Sequence, residues 1–223
     1  MGPADSLDWV IVAPVKHLHR AKTRLSTRAA GERRDLALAF AVDSVRAIMG
    51  SPRVVGVVVV TDDDEVRSAV RELGARWSAE GPEPGLNPAV SFAAAQARRD
   101  HPQAGLAVVA ADLPSLRSDE LTRALAAADG VPRGFVADAA GTGTTMLTVH
   151  PGVDLDPLFG PRSRAAHAAS GAIALEPGLI PGLRRDVDTE VDLWDAGRLG
   201  LGRATEAVVR LDEAPDRQDA VGA

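Results

Sequence analysis

The chain has 223 residues, 45% hydrophobic and 25% charged, with a formal net charge of −6. That balance fits a soluble globular chain with a substantial core, and it argues against pervasive disorder and against a broadly basic nucleic-acid surface. There is no cysteine, which excludes thiolate nucleophiles, cysteine zinc sites, iron–sulfur clusters and a disulfide scaffold.

No apolar run approaches the ~20 residues needed to span a bilayer. The acidic start, Met1 to Asp8, is unlike a secretory leader. The expected location is therefore the cytoplasm, with no membrane partner. Of 25 basic residues only two are lysines, Lys16 and Lys22, and both fall in one short segment. One reading is an arginine-biased composition with two leftovers. The other is a loop that needs compact ammonium charges, which act on phosphate as point charges where arginine is a planar fork. Composition does not choose between them.

In chain order, Trp9 to Ala13 is an apolar run that reads as a buried strand ended by Pro14. A basic segment follows: Lys16, His17, His19, Arg20, Lys22, Arg24 and Arg28. Glu32 to Met49 reads as a long helix, broken by Gly50-Ser51-Pro52. Val54 to Val60 is nearly all valine, the pattern of a parallel strand covered on both faces. Asp62 to Leu73 reads as a helix with an acidic first turn, and Ala75 to Trp77 as a short strand. After the loop Gly81 to Gly85, Asn87 is placed to cap a helix to about Arg99, with Pro88 at its first position.

Leu106 to Ala111 is a third strong strand, closed by Asp112-Leu113-Pro114. Ser118 is placed to cap a helix over Asp119 to Ala127. Phe135 to Ala137 and Met146 to Val149 read as strands flanking the turn Gly141-Thr142-Gly143-Thr144. Arg164 to Ala169 is expected as a short helix, Leu183 to Val187 as a last strand, and Glu190 to Leu199 as a helix. A polar tail is expected from Asp212 onward. This alternation predicts an α/β fold of Rossmann-like type: one domain over residues 1–211, a mostly parallel central sheet with helices on both faces, and residues 134–176 as a substrate-side insertion.

In open α/β sheets ligands bind beyond the carboxyl ends of the strands. The two lysines, Asp112 and the Asp186-Val187-Asp188 run are all expected there. Two carboxylates from different strand ends suit Mg²⁺, which takes hard oxygen ligands and keeps waters and substrate phosphates. The same aspartates are equally placed to start the helices that follow them, and spacing leaves both readings open. The run Asp62 to Glu65 reads as a solvated helix start. The familiar phosphate and hydrolase signatures are missing: no GxxxxGK[ST], no GxGxxG after the first strand, no zincin histidine spacing, no GxSxG. The Gly141–Thr145 segment offers backbone N–H groups as an anion nest, or simply a tight turn. Ser163, after Phe159-Gly160-Pro161-Arg162, is placed to cap a helix whose N-terminus suits a phosphate or carboxylate.

As an ordered set these residues resemble the 2-phospho-L-lactate guanylyltransferases, whose actinobacterial members are described as phosphoenolpyruvate guanylyltransferases. The matches are Ala13-Pro14-Val15-Lys16, Ala21-Lys22-Thr23-Arg24-Leu25, Gly85-Leu86-Asn87, Ala111-Asp112-Leu113-Pro114, Phe135-Val136-Ala137-Asp138 and Gly141-Thr142-Gly143-Thr144. They continue with Phe159-Gly160-Pro161 and Ser163, Ser170-Gly171-Ala172, and Asp186-Val187-Asp188-Thr189, so that the set spans roughly residues 9 to 205. Two positions depart from it: Glu190 follows Thr189 where many relatives have proline, and Arg162 replaces a more variable residue.

The resemblance implies a nucleotidyltransferase fold and a step in making the deazaflavin cofactor F420. GTP would react with phosphoenolpyruvate or 2-phospho-L-lactate, releasing pyrophosphate. It places Asp112 and Asp186 on Mg²⁺, and Lys16, Lys22 and Arg24 on the triphosphate. Leu86 and Asn87 would lie by the nucleotide, and Thr144, Gly160 and Ser163 would hold the three-carbon acid. The Arg- and Ala-rich composition resembles that of the actinobacterial members, and it is this resemblance that implies phosphoenolpyruvate as the acceptor. Rival readings are another nucleotidyltransferase of this fold, of molybdopterin or sugar-phosphate type, or a non-catalytic nucleotide-binding domain. The sequence carries no signal for oligomeric state.

Overall fold

A computed structural model describes residues 6–18, 22, 24, 25 and 28–213, with the side chains of residues 212 and 213 left aside. His19, Arg20, Ala21 and Thr23 of the basic segment lie outside the described residues. So does the expected tail from residue 214.

The chain opens with β1 (Trp9–Pro14), α1 (Ala30–Met49), β2 (Val54–Val60), α2 (Asp64–Glu72), β3 (Arg76–Ser78), α3 (Leu86–Asp100), β4 (Gly105–Val109) and α4 (Ser118–Ala128). It continues with β5 (Arg133–Ala137), β6 (Thr144–Val149), α5 (Ser163–Ala169), β7 (Ile173–Ala174), α6 (Pro181–Arg184), α7 (Glu190–Leu199) and α8 (Arg203–Glu213). One sheet runs in the order β3-β2-β1-β4-β6-β5-β7. β3, β2, β1 and β4 are mutually parallel, as the βαβ alternation requires. β6 enters antiparallel between β4 and β5, and β7 adds a parallel edge to β5. Residues 134–176 therefore widen the same sheet.

Strand residues alternate between two layers, because successive side chains leave a strand on opposite faces. Ile11, Val57, Val59, Ala107 and Val109 pack with Val45 and Ile48 of α1 and with Leu121 and Leu125 of α4. Val10, Val12, Val58, Val60, Leu106 and Val108 pack with Val90, Ala93 and Ala94 of α3. Burial on both faces is why the central strands read as unbroken apolar runs.

The structure corrects several expectations. Residues 183–187 form no strand. Pro181 starts the short helix α6, and buried Glu120 of α4 accepts hydrogen bonds from the Gly182 and Leu183 N–H groups at 3.1 and 2.9 Å. A Cβ at Gly182 would run into the Ser115 carbonyl, so this close approach requires glycine. Ser118 and Asn87 are not caps: Arg117 and Gly85 stand at the N-caps, with no side-chain cap bond. Ser163 is the first residue of α5, behind Arg162 in the left-handed conformation. Helix α8 runs through residues 212 and 213, where the polar tail was expected.

Candidate active site

The carboxyl ends of β1 and β4 deliver the first two parts of the site. Asp112 follows β4, and the neighbouring Leu113 N–H is held by the buried Ser44 hydroxyl of α1 at 3.0 Å. In the basic segment after β1, Leu25 is anchored in the core. That side chain is fully buried in a third cluster with Leu36, Phe40, Val187, Leu193 and Ala196. Leu25 and Val187 thus share one apolar contact zone, which carries Lys22 towards Asp188.

Segment 181–188 is fixed from three sides. Glu120 holds its start, the Arg184 carbonyl accepts from Ala139 N–H at 2.7 Å, and Val187 N–H donates to the Asp112 carbonyl at 3.1 Å. Asp186 and Asp188 are brought beside Asp112 by this loop packing, without a strand end. The Lys22 ammonium, whose side chain is 8% exposed, lies between Asp112 Oδ2 at 2.6 Å and Asp188 Oδ1 at 3.1 Å. Burial pulls its pKa down, but the two carboxylates outweigh burial and hold it above the usual lysine value. Lys22 also has φ of 55°, a backbone state that costs a non-glycine residue energy and is kept by its surroundings.

Asp186 is pushed up to about 7, chiefly by burial, then by the charges of Asp112, Asp188 and Asp138. The pocket therefore holds more negative charge than Lys22 neutralises. Among the described residues no three histidine or acidic side chains form a ready-made metal cage. Two or three converging carboxylates with a charge deficit still fit Mg²⁺, which completes its shell with water and substrate phosphate. Lys16 and Arg24 are exposed.

A second group of residues lies along β6, α5 and the start of α3. The Gly141–Thr144 turn is not an open anion nest: Asp138 occupies it, accepting from Thr142 N–H and Gly143 N–H at 2.8 Å each. A Cβ at Gly143 would fall 2.5 Å from that carboxylate, so any side chain there would have to displace Asp138 from the turn. Asn87 makes a two-way amide clamp on the Phe159 backbone, donating to its carbonyl at 3.0 Å and accepting from its N–H at 2.9 Å. Thr144 Oγ1 is 2.9 Å from His167 Nδ1, and the Leu158 N–H donates to His167 Nε2 at 3.0 Å. Gly160 is exposed, Ser163 is buried, and Leu86 and Thr144 are partly buried.

The candidate residues thus fall into two groups. Lys22, Asp112, Asp186 and Asp188 converge in one. Asn87, Thr144 and the 158–160 loop are joined in the other through Phe159 and His167. Sequence reasoning missed Glu120, Asp138 and His167 as organisers. Glu120 and Asp138 carry no local signal for contacts made 62 and 5 residues away. His167 has no metal-type spacing to mark it.

A core of four parallel strands, β3-β2-β1-β4, with basic residues after its first strand and acidic groups beyond its carboxyl edge, defines a nucleotidyltransferase-type α/β fold. Solved structures agree on that fold. A protein assigned as a nucleotide-diphospho-sugar transferase, from Desulfovibrio desulfuricans, superposes with a TM-score of 0.67 at 14% identity, covering 92% of this chain and 95% of the other. A 4-diphosphocytidyl-2C-methyl-D-erythritol synthase gives 0.58 at 11% identity, covering 86% and 99%.

Sequence comparison narrows the class. The family model described as "Guanylyl transferase CofC like" matches residues 9–157. Phosphoenolpyruvate guanylyltransferase of Thermomonospora curvata is 50% identical over 202 residues, covering 91% of this chain and 89% of that protein. The protein of the same name from Streptomyces coelicolor is 50% identical over 203 residues, covering 91% and 96%. The chain belongs to the CofC-like guanylyltransferase family. Among the described residues no helix is long and apolar enough to cross a membrane.

Proposed function

We propose that this protein transfers the GMP moiety of GTP to phosphoenolpyruvate and releases pyrophosphate, a step of the kind that F420 assembly needs. The observation that carries the reading is the Lys22 ammonium set between Asp112 and Asp188 beside Asp186, in a chain half-identical to enzymes named for that reaction. GTP and a small phosphorylated acid are the proposed partners, and the cytoplasm, where both occur, is the proposed location.

Asp112 and Asp186 would hold Mg²⁺. When bound, the ion supplies positive charge for the phosphates of the nucleotide. Asp186 is the better second ligand, because Asp188 is paired with Lys22 and more exposed. Lys22 would meet the triphosphate as a point charge, with Lys16 and Arg24 at the exposed rim. Leu86 would lie against the nucleotide, while Asn87 fixes the loop between the two substrates. Thr144, Gly160 and Ser163 would hold the acid.

An oxygen of the acid's phosphate attacks the α-phosphorus of GTP in line, and the bond from that phosphorus to the bridging oxygen of the departing pyrophosphate breaks. The nucleophile is already anionic, so no general base is needed. What the chain contributes is positioning and charge neutralisation.

The test is pyrophosphate release by purified protein with Mg²⁺ and GTP, comparing phosphoenolpyruvate, 2-phospho-L-lactate and no acceptor. Release that depends on phosphoenolpyruvate is expected. Release with 2-phospho-L-lactate alone would reassign the acceptor, and no release with either acid would overturn the reading.

A further inference from the structure

We propose that His167 is a positioning residue that locks the Thr144 hydroxyl as a hydrogen-bond donor to an anionic oxygen of the acid acceptor, and ties that hydroxyl to the loop carrying Gly160. This rests on the acceptor assignment proposed above.

The argument starts from hydrogen-bond chemistry. The Leu158 N–H can only donate, so His167 Nε2, at 3.0 Å, must present its lone pair. A neutral imidazole with a bare Nε2 carries its proton on Nδ1. That proton points at Thr144 Oγ1, 2.9 Å away. Thr144 then accepts from His167, and its own O–H is left to donate elsewhere. The hydroxyl has no other hydrogen-bond partner among the described residues.

The ring is fully buried and kept in its neutral form, with its pKa lowered to about 4 by burial and by the nearby Arg133 charge. It also packs edge-on against Phe159 at 5.1 Å. Phe159 is in turn held by the Asn87 amide clamp. One neutral side chain on α5 therefore connects the Thr144 hydroxyl, the 158–160 backbone and the start of α3. A neutral donor suits an anionic acid, and a hydroxyl without His167 would be free to rotate and present a lone pair instead.

The test is steady-state pyrophosphate release by His167→Phe, His167→Asn, Thr144→Val and the double variant Thr144→Val/His167→Phe. Phenylalanine keeps the ring packing and removes both hydrogen bonds. Asparagine restores a donor towards Thr144. His167→Phe is expected to raise KM for phosphoenolpyruvate about tenfold, the scale of one lost hydrogen bond to a charged group, with KM for GTP changed far less. His167→Asn is expected to recover part of the loss. The double variant is expected to be no worse than the worse single one, because both remove one interaction.

Equal changes in both KM values, or additive effects in the double variant, would overturn the positioning role. Nitrogen-15 spectra of the His167 ring give a reading independent of activity. An Nε2–H tautomer would overturn the proposal even if His167→Phe fails to fold. Wild-type protein that releases no pyrophosphate with either acid defeats the acceptor reading itself. Wild-type turnover with an unchanged acid KM in His167→Phe defeats only the role of His167.

Discussion

The two ends of the candidate site are organised by opposite electrostatic means. Around Asp112 the groups are ionic: three neighbouring carboxylates meet one ammonium, and the imbalance shows in Asp186, pushed up to about 7. Around Thr144 the connecting groups are neutral: the imidazole is met by the Thr144 hydroxyl and the Leu158 N–H, and the Asn87 amide by the Phe159 backbone. Even Asp138, the acidic group nearest that turn in sequence, has both oxygens met by N–H groups. On the proposed reading the first end would gain from an added cation, and the second would present a fixed shape and a fixed donor. Under the proposed reaction, which would join a metal-bound nucleotide to a small acid, both kinds of environment have a use.

The comparison breaks most visibly at Asp112. Asp112→Asn removes one negative oxygen with almost no change in shape. Turnover is expected to fall by about 10²–10³-fold, the scale of losing a preorganised electrostatic group. The melting temperature should stay near that of the wild type, since the Asp112 carbonyl still accepts from Val187. Near-normal turnover would remove Asp112 from the metal role.

Lys22→Ala is expected to do less to the chemistry and more to nucleotide use, raising KM for GTP about tenfold through the loss of a charge-assisted contact. It also leaves Asp112 and Asp188 without their ammonium. The folded pKa of Lys22 lies above its ordinary value. Its stabilising contribution is therefore present below the ordinary lysine pKa and is lost as pH rises through the folded value. At neutral pH the variant should melt lower, and added Mg²⁺ should restore part of the loss. A variant with unchanged GTP kinetics and unchanged melting would make Lys22 a bystander.

Asp186 sharpens the same contrast through pH. Its pKa rises from 3.8 to about 7 on folding, so the folded chain holds this proton more tightly than the unfolded chain does. With no divalent cation, its ionisation should lower stability progressively as pH climbs from about 4 to about 7. Asp186→Asn should flatten that part of the curve, and Mg²⁺, which prefers the ionised carboxylate, should oppose the loss near pH 7. Melting temperatures from about pH 5 to about pH 8, with and without Mg²⁺, decide it. A wild-type curve that Asp186→Asn does not alter would show that Asp186 ionises without cost.

How much of this was legible in sequence follows the same division. The parallel strands declared themselves because burial on two faces leaves valine runs. The strand-end position of Asp112 followed from the Leu106–Ala111 run and the Pro114 stop. Lys22 stood out by rarity. The loop carrying Asp186 and Asp188 did not show its true shape: Leu183 to Val187 reads as a short strand, and the glutamate that holds the start of α6 in its place is on α4. For the Gly141–Thr144 turn the sequence left an anion nest and a plain tight turn both open, because nothing local says that Asp138 already fills it. The insertion of β6 between β4 and β5 has no local signal either. His167 was invisible for a related reason: a buried neutral histidine has no pattern of its own, and its meaning lies in Thr144 and Leu158.

Helix α8 was missed too, and it supplies a control outside both groups of candidate residues. No residue just before Arg203 offers a side-chain cap. The N–H groups of Ala204 and Thr205 are met instead by Asp43 of α1, at 3.1 and 2.8 Å, across 161 and 162 residues. Asp43 is buried, with Arg46 at 3.2 Å, and a Cβ at Gly202 would strike its carboxylate. Asp43→Ala should therefore cost about 1–2 kcal/mol, as for a lost helix cap. That corresponds to a fall in melting temperature of about 2–8 °C for a domain of this size. Turnover and both KM values should stay within about twofold below the melting range, because α8 touches neither Asp112 nor Thr144 in any hydrogen bond or ion pair described above. The adjacent Ser44 makes the distinction demanding, since its hydroxyl braces Leu113 beside Asp112. If Asp43→Ala reduced turnover as much as the substitutions at the site, those losses would have to be read as general loosening of α1. The contrast between an ionic end and a neutral end would then lose its footing.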